Sequence, residues 1–194
     1  MYTLDELKYI VSQCKMCELY KGRTKTVFGE GNEHARIMFI GEGPGYYEDK
    51  MGRSFVGKAG QLLGKMLESI ELKREDIYIG NIVKCRPPNN RNPLEEECAV
   101  CIEYLRWQVK LIDPDIIICL GAVAARNIIS TDFRITKERG NWVKKGKFYI
   151  MATYHPAALL RDERKKRDAW EDLKNLRAKY EEIIDIEKRG LGID

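Results

Sequence analysis

The chain is 194 residues long, 44% hydrophobic and 33% charged, which describes a folded globular protein and excludes a disordered one. That length predicts a single domain, residues 1–194, burying roughly 70% of its unfolded surface. No apolar run reaches the ~18 residues of a membrane span and the first residues lack a signal-peptide pattern, so an intracellular protein with no membrane partner is expected; the net charge of +4 permits a nucleic-acid partner without arguing for one.

In chain order, Leu4, Leu7, Ile10 and Val11 recur at helical spacing and predict a first helix with Thr3 as its N-cap. Cys14 and Cys17 follow, then a loop. Ile37-Met38-Phe39-Ile40 predicts a strand that stops at Gly41-Glu42-Gly43-Pro44-Gly45, where a run of glycines lets something approach the main chain closely. This run is not a dinucleotide fingerprint. Its sixth position is Tyr46, and Pro44 pushes Gly43 away from helical geometry, so no helix N-terminus is expected there to hold a pyrophosphate. Gly64-Lys65 is not a phosphate loop either, because Met66 follows within a helical pattern.

Residues from about Gly57 to Ile70 read as a helix, and Ile77 to Val83 as a buried strand. Arg86-Pro87-Pro88-Asn89-Asn90-Arg91-Asn92-Pro93 must be loop. A long helix from Pro93 to about Ile112 opens on proline and acidic residues, as the helix dipole favours. Asp115 to Leu120 is a third buried strand, Gly121 opens another helix, and a hairpin is expected around Trp142 to Tyr149. The stretch from Ile150 to Pro156 reads as a strand ending at His155, and a charged helix from about Arg164 to Glu187 closes the chain. Strands alternating with helices predict an α/β fold: three layers, α/β/α, around a central, mainly parallel four-stranded sheet. Ligands of such sheets bind beyond the carboxyl ends of the strands, where this chain places Glu42, Asn81 and His155.

Six cysteines in an intracellular chain argue for metal or redox chemistry before structural disulfides. Cys14 and Cys17 form a thiolate pair whose partners spacing leaves open. Cys98 and Cys101 would complete a tetrahedral zinc site, whereas Cys85 with Cys101 would complete a set for an iron–sulfur cluster. Cys98 and Cys119 also read simply as small buried hydrophobes.

Four motifs, in order, carry a resemblance. The run Gly41 to Gly45, then Gly52-Arg53-Ser54-Phe55-Val56-Gly57-Lys58-Ala59-Gly60-Gln61-Leu62-Leu63, then Asn81-Ile82-Val83-Lys84-Cys85-Arg86-Pro87-Pro88, and finally His155-Pro156-Ala157-Ala158-Leu159-Leu160-Arg161 resemble family 4 uracil-DNA glycosylases, iron–sulfur enzymes of thermophilic archaea and bacteria. The resemblance covers nearly the whole chain. It implies a uracil-DNA glycosylase-like fold and a monofunctional glycosylase that removes uracil from DNA and leaves an abasic site. It also implies a four-iron, four-sulfur cluster on Cys14, Cys17, Cys85 and Cys101, held by an N-terminal cluster-binding segment, with Cys98 and Cys119 left out. A monomer acting in the prokaryotic cytoplasm, at the nucleoid, is the matching expectation. The abundance of Lys, Glu and Arg beside scarce Gln agrees with a thermophile.

Removing uracil requires flipping the nucleotide, holding the base and stabilising the charge that develops on it. Asn81 is suited to holding the base, since its carbonyl accepts from uracil N3–H and its amide donates to O4, a pairing that cytosine inverts. Phe55 offers a stacking face and His155 a donor to uracil O2, while the main chain at Gly41, Glu42 and Gly43 comes close to the ring. Glu42 is the first choice for orienting water, with Glu48 or Asp49 behind it; Glu48 alternatively crowds the C5 position against thymine's methyl. The best-known uracil-DNA glycosylases carry an aspartate at the place of Gly43, and this chain does not. Leu159 or Leu160 is expected to wedge into the base stack, and Arg161, Arg164-Lys165-Lys166-Arg167, Lys144, Lys145 and Lys147 to meet phosphates.

Taken singly, each residue has a plainer reading: Asn81 as a turn former, Phe55 as core, Glu42 as a cap, the basic run as a solvated face. A zinc-ribbon-like binding module on Cys14, Cys17, Cys98 and Cys101, a zinc deaminase, which lacks its H-x-E and P-C-x-x-C signature, and a thiol–disulfide protein each leave the strand-end trio unexplained. The tail Gly190-Leu191-Gly192-Ile193-Asp194 is too generic to identify a sliding clamp as a partner.

Overall fold

A computed structural model describes residues 2–188. Helix α1 (Leu4–Gln13) begins at Thr3, whose side chain accepts from Glu6 N while Glu6 reaches back to Thr3 N, a reciprocal cap that satisfies two otherwise orphaned donors. The sheet strands are β1 (Glu30–Gly31), β2 (Ile37–Gly41), β3 (Tyr78–Asn81), β4 (Ile116–Leu120), β5 (Val143–Lys145) and β6 (Phe148–Thr153), in the order β1-β3-β2-β4-β6-β5. The four central strands are parallel, and the edge strands β1 and β5 each run antiparallel to their neighbour. The expected four-stranded sheet is therefore the parallel centre of a six-stranded mixed one. The hairpin around residues 142–149 supplies one edge, and β1, only two residues long, gives no periodic signal.

Every residue of β2, β3 and β4 is buried, as strands covered on both faces require. Alternation along them divides the core. Ile37, Phe39, Ile79, Ile116 and Ile118 face α3 (Lys58–Glu68) and α8 (Lys165–Lys188). Met38, Ile40, Ile117 and Cys119 face α4 (Glu95–Ile112) and α5 (Ala122–Ile128). Three layers result, with α1 packed outside α4 through Leu7, Val11 and Trp107.

Three short helices depart from the expected elements. A helix does begin after the glycine run: α2 (Tyr46–Met51) starts at Gly45, because Pro44 restricts only the residue before it. The others are α6 (Ile135–Glu138) and α7 (Pro156–Arg161), the latter starting with proline at its first position. Among the described residues no helix is long and apolar enough to cross a membrane. The tail considered for clamp binding lies outside them.

Candidate active site

The glycine run after β2, the turn carrying Phe55, the loop at residues 87–92 and the start of α7 enclose a cleft of about 370 Å³ at the carboxyl ends of the strands. Glu42, Gly43, Phe55, Asn81, His155 and Arg161 all line it. Glu48, Asn90, Arg91 and Asn92 line it too, and the last three were not singled out by the sequence, although the prolines around them marked a loop placed directly after Asn81.

Asn81 ends β3 and is 2% exposed, yet its Oδ1 has no hydrogen-bond partner. An orphaned buried acceptor costs about 1–3 kcal/mol, so a group that completes it gains that much. The Asn81 backbone is held from behind. Lys84 Nζ donates to the Asn81 carbonyl (2.8 Å) and to Gln108 Oε1 (2.5 Å), and Gln108 Nε2 donates to Phe28 O (2.9 Å) and Tyr78 Oη (3.0 Å). Lys84 is fully buried, and burial pulls its ammonium down to about 8 while Cys101 pulls the other way. Gly41 is glycine for space: a Cβ there would overlap Asn81 Oδ1 and sit 2.8 Å from Phe55 Cζ.

Phe55 adopts a left-handed backbone (φ 51°), a conformation that costs a non-glycine residue of order 1–3 kcal/mol. Its surroundings hold it there. Arg74 donates to Phe55 O (2.9 Å) and to Ser54 O, and Glu48 Oε1 accepts from Val56 N (2.9 Å) and Gly57 N (2.8 Å). Helix α3 abuts the turn so closely that a Cβ on Gly60 would overlap Phe55 O. The Phe55 and His155 rings lie 5.6 Å apart at 33°, forming one wall.

His155 caps α7 by accepting from Ala157 N at Nδ1 (3.1 Å), which places the proton of the neutral ring on Nε2. Burial, aided by Arg161 and opposed by Glu48, lowers it to about 4, so it is a neutral donor at physiological pH. Burial raises the Glu42 carboxyl, with Arg161 opposing. Of the two reserve carboxylates, Asp49 accepts from Thr24 N (2.8 Å) and does not line the cleft, whereas Glu48 lines it with one oxygen committed to the Phe55 turn.

A second cavity lies beyond Lys84. Cys14, Cys17, Cys85 and Cys101 line it with Arg23, Lys84 and Tyr104; Cys98 does not. Arg23 donates to Cys14 O (2.8 Å), Ser12 O (3.0 Å) and Cys85 Sγ (3.2 Å), and Lys84 N donates to Cys101 Sγ (3.3 Å). Burial raises the Cys17 and Cys85 thiols and pushes Cys101 up to about 12. Among the described residues no three His, Cys, Asp or Glu side chains close on one point as they would around a single ion. Cys98 and Cys119 are buried in the apolar core between the sheet and α4 and α5.

The expected DNA contacts divide. Leu159 is 1% exposed and packs in the core, so its side chain has no surface from which to wedge; α7 turns Leu160, 46% exposed, outward instead. Arg161 lines the cleft. Several other basic residues are engaged within the chain: Lys145 caps the end of α5, Lys147 pairs with Asp113, Arg164 with Asp162 and Lys166 with Glu163.

Comparisons with known proteins bear on the family of the chain. A family model for the uracil DNA glycosylase superfamily matches residues 28–174. The chain is 49% identical over 170 residues to a type-4 uracil-DNA glycosylase of Thermotoga maritima, covering 84% of this chain and 88% of that protein. It is 44% identical to one of Archaeoglobus fulgidus (91% and 92% covered) and 45% identical to one of Sulfurisphaera tokodaii (91% and 84%).

Proposed function

The chain belongs to the uracil DNA glycosylase superfamily, and on that premise we propose that it flips uridine out of DNA and hydrolyses its N-glycosidic bond, leaving an abasic site for base excision repair. The observation that carries the assignment of roles is the buried, unpartnered Asn81 Oδ1 in a cleft walled by Phe55 and His155. Uracil supplies what that oxygen lacks, an N3–H. Cytosine presents a lone pair at the same place, leaving two acceptors face to face, and Lys84 holds the backbone that carries the asparagine. The Phe55 ring stacks on the base. His155 Nε2–H donates to uracil O2, where negative charge grows as the bond to C1′ breaks.

Water attacks C1′, and Glu42 is the carboxylate that orients it. Burial raises its pKa while Arg161 supports its charge, and as a carboxylate it also stabilises the positive charge developing on the sugar. Glu48 positions Phe55 and fills the cleft beside the ring. Leu160 and Arg161 meet the DNA around the flipped nucleotide.

Cys14, Cys17, Cys85 and Cys101 are the ligands of a four-iron, four-sulfur cluster. The donor set fits: the thiols of Cys14, Cys17, Cys85 and Cys101 line one cavity, and four thiolates are the ligands such a cluster takes. When bound, the cluster fastens the N-terminal segment to the loop after Asn81, a structural service, since glycosidic hydrolysis transfers no electron. The protein acts as a cytoplasmic monomer of a heat-adapted cell.

Uracil release from a single-stranded oligonucleotide with one deoxyuridine, read as alkali-sensitive cleavage, tests the reading. Cleavage by the parent and its loss in Asn81→Ala are expected. No cleavage by iron-loaded parent protein at elevated temperature would overturn the activity, and cleavage unaffected by the substitution would overturn the map of the pocket.

A further inference from the structure

Two tyrosines between the cleft-lining residues Gly45 and Glu48 take no part in the reaction just described. Tyr46 and Tyr47 open α2 immediately after the glycine run and remain 49% and 61% exposed. Exposed aromatic rings are commonplace singly, but these are organised. Their centroids are 5.4 Å apart and the planes nearly perpendicular, with Tyr46 presented beneath two cations: Arg86 Cζ at 5.1 Å from the ring centroid and Lys50 Nζ at 5.9 Å. Arg86 is itself aimed, because its Nε donates to Asn90 Oδ1 (2.7 Å), and Asn90 lines the cleft in a left-handed conformation. Gly45 and Glu48, on either side of the tyrosine pair in sequence, also line the cleft. The aromatic pair therefore adjoins the wall of the base pocket through Gly45, Glu48 and Asn90 and carries positive charge at its edge.

We propose that Tyr46 and Tyr47, with Arg86, form a stacking platform for a base next to the flipped uridine in single-stranded DNA, making an unpaired strand a preferred substrate. The inference rests on the glycosylase reading above. Aromatic rings beside cations suit a nucleotide chain: the ring offers a face that any base can use, and Arg86 and Lys50 meet the phosphates on either side. A strand without a complement has lost the stacking and pairing that hold a neighbouring base in a duplex. Its base is free to leave for a protein surface, whereas a paired base must first be pulled out at a cost. The platform thus favours the single strand without touching uracil.

The test crosses protein variants with substrates. Uracil release is measured for the parent, Tyr46→Ala, Tyr47→Ala and Tyr47→Phe on three substrates: a single-stranded deoxyuridine oligonucleotide, the same oligonucleotide with abasic spacers on both sides of the deoxyuridine, and a duplex. The alanine variants are expected to raise KM on the ordinary single strand about tenfold, within the range typical of base–aromatic stacking, with kcat little changed. Tyr47→Phe keeps the ring and keeps the parent KM. On the abasic-flanked strand, parent and alanine variants converge, because the base that the platform serves is absent. Equal KM for parent and alanine variants on the ordinary strand would overturn the proposal, as would a loss that persists undiminished on the abasic-flanked strand or is as large on the duplex. Failure of the parent to release uracil from any substrate would overturn the underlying glycosylase reading as well, and is told apart by appearing before any variant is compared.

Discussion

The base cleft and the cysteine cavity are linked by Lys84, which lines the cavity and donates to the Asn81 carbonyl, and they are built in opposite ways. The cleft is assembled from the ends of β2, β3 and β6, whose backbones are locked in the parallel centre of the sheet, and the left-handed conformation at Phe55 is held by Arg74, Glu48 and the close approach of Gly60. The cysteine cavity is assembled from the segment after α1, the loop after β3 and one turn of α4, joined largely by the fingers of Arg23 and by Lys84 N. One site is preorganised by hydrogen-bonded backbone; the other gathers irregular chain around four cysteines, of which Cys85 and Cys101 are buried and have their thiol pKa values raised by that burial. A base pocket must discriminate before it binds and so has to be rigid when empty. The proposed cluster, being structural, has only to be captured once.

Four experiments break or sharpen that contrast. The largest effect is expected of Asn81→Ala, which should lower uracil release roughly 10²–10³-fold by removing both polar contacts to the base. Its melting temperature should stay within about 2 °C of the parent, because the lost oxygen had no partner. Cys85→Ser should show the reverse pattern, with loss of iron measured by absorbance and metal content and a fall in Tm of about 10 °C or more. Cys98→Ala, outside the cavity, should retain its iron. Lys84→Met deletes the donors to Asn81 O and Gln108 Oε1 and should reduce kcat about tenfold at unchanged iron content, since it loosens the carrier of the reading group. Iron lost together with activity would mean that Lys84 serves the cysteines instead.

The smallest effect is in the pH profile. His155 folds with a value of about 4 against 6.5 when free, so the unfolded chain takes up its proton first as pH falls. Its contribution to stability is complete above about 6.5 and is lost as pH drops from there through about 4. Burial raises Glu42 above the 4.5 of a free glutamate, so the rate should decline on the acid side before an ordinary carboxylate would titrate. Glu42→Gln should remove that earlier limb and leave the one governed by His155.

Much of this was legible in the sequence because it rests on local pattern. Apolar runs bounded by glycine and proline located β2, β3 and β4, and the residues standing at the strand ends are the ones that line the cleft. What pattern could not supply is reach. Nothing in the spacing says that Lys84, inside an apolar run, sends its ammonium back to Asn81 and across to Gln108, because that depends on α4 packing over the sheet. The same limit applies to Leu159 and Leu160: α7 is six residues long, too short for periodicity to assign its faces, and the packing of α7 against α3 and α8 decides which leucine is buried. The start of α2 was obscured by Pro44, whose restriction ends before the helix begins.

In the proposed reading, recognition of uracil turns on one oxygen atom, and the most direct measurement compares the binding of uracil and N3-methyluracil to the parent and to Asn81→Ala by competitive inhibition of uracil release. If Asn81 Oδ1 accepts from N3–H, uracil inhibits the parent at least tenfold more strongly than the methylated base, and the substitution abolishes most of that difference. Equal inhibition of the parent by the two bases, or a preference that survives in Asn81→Ala, would contradict the assignment and place the reading of uracil elsewhere in the cleft.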